Sequence, residues 1–173
     1  MTQLTDKLGQ SLPKHETPSD DLLRVYGDAF FLAMRSPRHR QMSMQEMRLY
    51  LEPPIVQGSY RVFRIQNIPR GMFTWAMLSP DAERRLIEGE VLHPGDWNSG
   101  DRQWIIDIIA PYRGMMQGIA RWIMHKGNFT DTKYYFRRVS EINETRRIVE
   151  VDFEADRLSK IWSAEDYLKT LKT

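Results

Sequence analysis

The chain has 173 residues, a length that suits one domain with a core large enough to fold without disulfides or metals. It contains no cysteine, which excludes a disulfide framework, a cysteine-ligated zinc site and a thiol nucleophile. The formal net charge of +2 is too small to indicate nucleic-acid binding over the whole chain. Basic residues do cluster locally, and that cluster would suit an acidic partner: Arg113, Arg121, Lys126, Arg137 and Arg138.

The first residues are polar. Residues 1–18 contain two prolines and no hydrophobic periodicity, so we expect a mobile N-terminal arm followed by a single domain over residues 19–173. The start lacks an apolar signal-peptide core, and no run of about 18 apolar residues occurs in the chain. We therefore expect a cytoplasmic protein with no transmembrane segment.

Two helices are predicted next. Acidic residues after Ser19 begin a helix that ends near Met34. The pair Ser43 and Glu46 forms a capping box for a second helix, which we expect the two prolines of Pro53-Pro54 to end near residue 51. His39 then lies in the connection between the two helices.

The rest of the chain alternates between strand and helix patterns. An antiparallel hairpin is predicted over residues 58–68 and 72–78, with its turn at Pro69-Arg70-Gly71. Further helices are predicted over residues 79–89, 114–126 and 163–171, and further strands over residues 104–109, 134–139 and 147–153. This order predicts an α/β (α+β) fold with a central mixed or antiparallel sheet and helices on both faces.

One acidic residue interrupts an apolar strand. Asp107 lies within the run from Trp104 to Ile109, and strict alternation would place it on one face with Ile105 and Ile109. An ionised carboxylate among branched aliphatic side chains needs a cationic or hydrogen-bonding partner. The sequence therefore predicts that another side chain meets Asp107.

Two segments carry a resemblance to a known family. The motif Gly100-Asp101-Arg102-x-Trp104-x-Ile106-Asp107-x-Ile109-Ala110-Pro111, together with Ser36-Pro37-Arg38-His39-Arg40, resembles the RTX toxin-activating lysine acyltransferases. The resemblance runs from about Tyr26 to about Val139 and is weak in the C-terminal third. It implies a GNAT-like fold, an acyl-acyl carrier protein (a 4'-phosphopantetheine thioester) as donor with no bound cofactor, an RTX protoxin as substrate, and a possible homodimer.

The resemblance also implies roles for three residues. Lysine is almost wholly protonated at neutral pH, so its acylation needs a base, and histidine is the usual one. His39 occupies the catalytic histidine position of the family, and Asp107 occupies a catalytic position that would orient and tune the imidazole. Ser36 could orient His39 or, in a two-step mechanism, act as the acyl-accepting nucleophile.

The donor site follows from what the sequence lacks. CoA-dependent GNAT enzymes have a loop whose backbone amides hold the pyrophosphate, and here Met115 stands where a Gln or Arg of that loop belongs. A carrier-protein donor fits better, with Arg113, Gly118 and Arg121 as donor-binding residues. An acyl-CoA-dependent N-acyltransferase and a non-catalytic domain that binds a carrier protein or protoxin remain alternatives.

Two further expectations concern side chains at or near the site. The other histidines lack carboxylate or cysteine neighbours at metal-ligand spacing, so no metal site is predicted. Tyr50 stands where the family often has an asparagine, which puts in doubt any role that this amide would have had.

Overall fold

The computed structural model describes Lys7, residues 18–140 and residues 143–171. The predicted arm lies outside these residues except for Lys7 and Pro18. The helices are α1 (Asp20–Ala33), α2 (Met44–Gln57), α3 (Pro80–Glu88), α4 (Met115–Ile123) and α5 (Ala164–Thr170), with short 3₁₀ helices at His39–Gln41 and Pro94–Trp97. The strands are β1 (Tyr60–Ile65), β2 (Ile68–Leu78), β3 (Arg102–Ile109), β4 (Lys133–Val139), β5 (Thr145–Asp152) and β6 (Ser159–Trp162).

The strands form one six-stranded sheet in the order β1 to β6. Every neighbouring pair is antiparallel except β3 and β4, which run parallel and are connected through α4. Helices α1, α2, α3 and α5 pack on the face that carries Met72 and Trp104, which we call the front face, and α4 packs on the opposite, back face. The predicted fold class, with helices on both faces of a mixed sheet, is confirmed.

An irregularity between β2 and β3 decides where Asp107 points. Thr74 pairs with Asp107 but Trp75 pairs with Ile105, so Ile106 is an extra residue in β3. The insertion moves Asp107 onto the front face with Ile109, whereas Ile105 packs on the back face against α4. The prediction that Asp107 shares a face with Ile109 is correct, and the prediction that it also shares one with Ile105 is wrong, because strict alternation does not survive a β-bulge.

Two predicted boundaries are also wrong. Pro53 and Pro54 lie inside α2, which continues to Gln57 and is capped by Gly58 in the left-handed conformation. The prolines remove two helical hydrogen bonds, but Leu51, Pro54 and Ile55 are buried, and this packing keeps the last turn helical.

The hairpin turn lies at Gln66-Asn67 instead of Pro69-Arg70-Gly71. Both turn residues have positive φ, as a two-residue turn matched to the strand twist requires. Gly71 lies within β2 and lets α4 approach, because a Cβ there would come within 2.8 Å of Ile119 Cδ1. The short edge strand β6 was not predicted.

Helix length bears on the expectation about membranes. None of the helices in the described ranges is both long and apolar enough to cross a bilayer.

Candidate active site

The three side chains that the sequence predicts as catalytic form one hydrogen-bonded chain. Ser36 Oγ lies 2.7 Å from His39 Nδ1, and His39 Nε2 lies 2.7 Å from Asp107 Oδ2. All three residues are buried, at 7%, 3% and 5% exposure. The structure thus brings His39 to Asp107, which is 68 positions later in the chain. Asp107 therefore has the partner that the sequence predicts for it.

The local backbone explains how the loop reaches the sheet. The end of α1 continues into a turn in which Ser36 N–H donates to the Ala33 carbonyl, and Arg40 N–H donates to the Ser36 carbonyl. A 3₁₀ helix then begins at His39 and carries its ring inward. Ser36 and His39 therefore sit on consecutive tight turns, which fix their spacing.

The charge state of Asp107 fixes the tautomer of the ring. Burial raises the pKa of the Asp107 carboxyl, but the hydrogen bond and charge of His39, the Arg38 guanidinium and the Ile108 backbone N–H outweigh it, and the pKa lies below its usual value. An ionised carboxylate only accepts hydrogen bonds, so His39 Nε2 carries the proton. In the neutral ring, Nδ1 is then the basic nitrogen, and it accepts from Ser36 Oγ.

Two more side chains adjoin Asp107. Arg38 Nη1 lies 3.4 Å from Asp107 Oδ1, and Arg38 Nη2 lies 3.4 Å from Asn143 Oδ1. Thr74, the cross-strand partner of Asp107, is 1% exposed, and its hydroxyl has no hydrogen-bond partner within the described residues. Arg38 belongs to the Ser36–Arg40 motif, but the sequence predicts neither its contact with Asp107 nor that of Thr74.

The rest of the quoted β3 motif is structural. Gly100 lies against the end of β2, where a Cβ would come within 2.3 Å of the Leu78 carbonyl oxygen. Arg102 Nη1 and Trp104 Nε1 donate to the fully buried Glu83 of α3, at 2.9 and 2.7 Å. These contacts fix β3 to β2 and α3 and so hold the strand that carries Asp107.

The predicted donor-binding residues lie apart from this chain of hydrogen bonds. Arg113 is exposed just before α4, Gly118 is half-buried within α4, and Arg121 is exposed on it. Helix α4 packs on the back face, whereas Asp107 points to the front face. Their role in donor binding stays a prediction.

Two cavities lie on the front-face helices. Tyr50 is half-buried and lines a cavity of about 10 Å³ with Leu86 and Ile106. An open apolar groove of about 750 Å³ runs along α1 and α2, with Phe30 and Met44 among its lining residues. No group of three or more acidic or histidine side chains converges as metal ligands would, in residues 18–140 and 143–171.

Comparison with known proteins gives consistent matches. The family model described as the RTX toxin acyltransferase family matches residues 19–152. The chain is 34% identical over 101 residues to the protein-lysine palmitoyltransferase CyaC of Bordetella bronchiseptica, covering 58% of this chain and 54% of that protein. It is 37% identical over 89 residues to the leukotoxin-activating lysine-acyltransferase LtxC of Aggregatibacter actinomycetemcomitans, covering 51% and 53%.

A third relative is the RTX-II toxin-activating lysine-acyltransferase ApxIIC of Actinobacillus pleuropneumoniae, at 35% identity over 89 residues, covering 51% of this chain and 56% of that protein. The matches thus span about half the length of these curated relatives. The family model covers most of the chain and includes Ser36, His39 and Asp107. The chain therefore belongs to the RTX toxin acyltransferase family.

Proposed function

We propose that this protein is a lysine acyltransferase that moves a fatty acyl group from an acyl-acyl carrier protein to internal lysines of an RTX protoxin, and that it does so in the cytoplasm. The observation that carries the proposal is the buried hydrogen-bonded chain from Ser36 through His39 to Asp107. Relatives named lysine acyltransferases and palmitoyltransferase support the reaction class.

The chemistry follows from the tautomer. A lysine amine attacks the thioester carbonyl, and as the N–C bond forms the imidazole accepts a proton from the amine at Nδ1. Asp107 stabilises the resulting imidazolium through Nε2. The C–S bond then breaks, and the imidazolium returns its proton to the leaving thiolate. One amide and one free thiol result.

Ser36 stands in the path of that proton. Its hydroxyl already occupies Nδ1, so the substrate amine must either displace Ser36 or pass its proton through the Ser36 oxygen. The same geometry favours a second route, in which His39 deprotonates Ser36 and the serine oxygen accepts the acyl group before lysine does. An ester on Ser36, trapped by acid quench and cleaved by hydroxylamine, would identify the two-step route.

The acyl chain needs an apolar surface, and we assign it to the groove along α1 and α2. Phe30 is six residues before Ser36 on the chain, and Met44 is five after His39, so the groove adjoins the loop that carries both. The Phe30→Asp variant should lower transfer of a sixteen-carbon chain more than that of an eight-carbon chain. Equal losses for both chains would remove the groove from the proposal.

The donor and the oligomer are also proposals. Arg113, Gly118 and Arg121 would meet an acidic carrier protein, and two copies of the chain would form a homodimer. Calorimetry with CoA and with an acyl carrier protein separates the two enzymatic alternatives, because only an acyl-CoA-dependent enzyme should bind CoA tightly. Analytical ultracentrifugation tests the dimer.

The deciding experiment reconstitutes the reaction. Purified protein, palmitoyl-acyl carrier protein and an RTX protoxin are incubated, and the protoxin is analysed by intact and peptide mass spectrometry. We expect palmitoyl adducts on internal lysines with the wild-type chain and none with His39→Ala. A stable complex without any adduct would instead favour the non-catalytic binding domain.

A further inference from the structure

The sequence suggests that Arg137 belongs to a basic cluster that would suit an acidic partner, but the structure places its side chain elsewhere. It lies on β4 opposite Ile148, a fully buried front-face residue, so its side chain also points to the front face. Its Nη1 donates to the Leu86 carbonyl at 2.6 Å and to Thr145 Oγ1 at 3.1 Å. These two acceptors hold the guanidinium in place over the sheet.

The strand pairing sets Arg137 beside Asp107. Ile105 of β3 pairs with Phe136 of β4, so Arg137 is level with the bulged Ile106, on a strand about 4.8 Å away. The bulge turns Asp107 to the same front face. Without the extra residue in β3, strict alternation would point Asp107 to the back face, away from Arg137.

Charged and polar groups from several elements surround Asp107 and Arg137. His39 of the 3₁₀ helix, Arg38 of the turn before it and Thr74 of β2 adjoin Asp107, and Arg137 of β4 interacts with both Asp107 and Tyr50 of α2. Burial lowers the pKa of the Arg137 guanidinium and the charge of Arg38 adds to this, whereas the Tyr50 phenol and the Asp107 carboxylate oppose it. In the described part of the chain, no carboxylate accepts a hydrogen bond from Arg137.

We propose that Arg137 is a positioning residue whose fixed, half-buried positive charge helps His39 and Arg38 to keep Asp107 ionised, and that Asp107 in turn holds the His39 ring in its working tautomer. A guanidinium stays protonated throughout the working pH range, so its effect is permanent. The Arg38 side chain is 43% exposed and also donates a hydrogen bond to Asn143, whereas Arg137 is half-buried. Solvent therefore screens the charge of Arg38 more than the charge of Arg137. This proposal rests on the proposed function only for its kinetic readout.

The first test needs no activity. Carboxyl ¹³C NMR follows the titration of Asp107, assigned by its loss in Asp107→Asn, over the pH range in which circular dichroism shows a folded protein. The midpoint in Arg137→Gln should rise by about half to one pH unit, because one unit charge nearby is removed. Arg137→Lys should keep most of the wild-type midpoint. Arg147→Gln, which removes an exposed arginine on β5, should leave it unchanged.

The second test uses acyl transfer by the full chain. In Arg137→Gln the acidic limb of the pH–kcat profile should move to higher pH, with the plateau kcat reduced less than about tenfold. An unmoved NMR midpoint would overturn the proposal. A hundredfold loss of plateau kcat with an unmoved limb would also overturn it, since Arg137 would then act on the substrate. If the wild type transfers no acyl group, the proposed function fails while the NMR titration still decides the role of Arg137.

Discussion

Asp107 and His39 form a buried pair joined by one 2.7 Å hydrogen bond between Oδ2 and Nε2, although α2, β1, β2 and α3 lie between the interhelical loop and β3 along the chain. Because Nε2 is occupied by Asp107, the ring can act as a base only through Nδ1, where Ser36 lies. The pair thus sets both the protonation of the ring and the side from which a substrate must approach.

The acid stability of the protein should depend on Asp107. Its pKa is lower in the folded state than in the unfolded chain, so its ionised form contributes stability that is fully present above about pH 3.9 and is lost as the pH falls through the folded value. Urea unfolding of the wild type and Asp107→Asn from pH 7 to pH 3 measures this. The gap between their free energies of unfolding should narrow below about pH 4. A constant gap over that range would contradict the assignment.

Gly100→Ala should destabilise the protein by about 1–3 kcal/mol, because its Cβ would overlap the backbone of Leu78 and Ser79. Thermal unfolding compares it with Gly95→Ala, whose Cβ would meet nothing within 4 Å. Equal melting temperatures for the two variants would show that β2 and the turn before β3 can separate without cost.

Glu83→Ala should lower the free energy of unfolding by about 3–5 kcal/mol, because it leaves the buried Trp104 Nε1 donor and the Arg102 charge without their partner. Glu88→Ala, which removes an exposed carboxylate from the same helix, is the matched control. Chemical denaturation gives both free energies. A loss below about 1 kcal/mol for Glu83→Ala would mean that the network contributes little to holding β3.

Gly118→Ala separates a structural from a donor-binding role for α4. The position is helical, and an added Cβ meets nothing within 4 Å, so the free energy of unfolding should rise by about 0.5–1 kcal/mol. If the backbone at Gly118 contacts the donor, the KM for the acyl donor should rise at the same time. An unchanged KM would remove Gly118 from the donor site.

Much of this arrangement could be predicted from the sequence because local signals and burial agreed. The capping box at Ser43, the Ser79-Pro80 helix start and the apolar strand around Asp107 all appear as expected. The need of a buried carboxylate for a partner, together with the family motif, was enough to bring His39 to Asp107. The partner of Asp107 could be predicted because the sequence itself shows the buried carboxylate and the motif that contains His39.

The parts that failed depend on tertiary packing. Pro53 and Pro54 stay helical because α2 is buried against the sheet, and no local signal reports that burial. The bulge at Ile106 arises only from the pairing of β2 with β3, so the sequence does not reveal it. The face to which Asp107 points, and therefore its position relative to Arg137, depend on that bulge. Arg137 resembled a surface residue because one of its acceptors, the Leu86 carbonyl, is 51 positions away in the sequence, and the other, Thr145, comes near only when β4 and β5 pair.

The central claim is that His39 and Asp107 act as one unit in acyl transfer, and a double-mutant cycle tests it most directly. Single-turnover rates would be measured for the wild type, His39→Ala, Asp107→Asn and the double variant, each first shown to be folded by circular dichroism. If the pair is one unit, each single change should lower the rate about 10²–10⁴-fold, and the double variant should be no slower than the slower single variant. Losses that multiply in the double variant would contradict the account, because two independent residues would then each contribute their own effect.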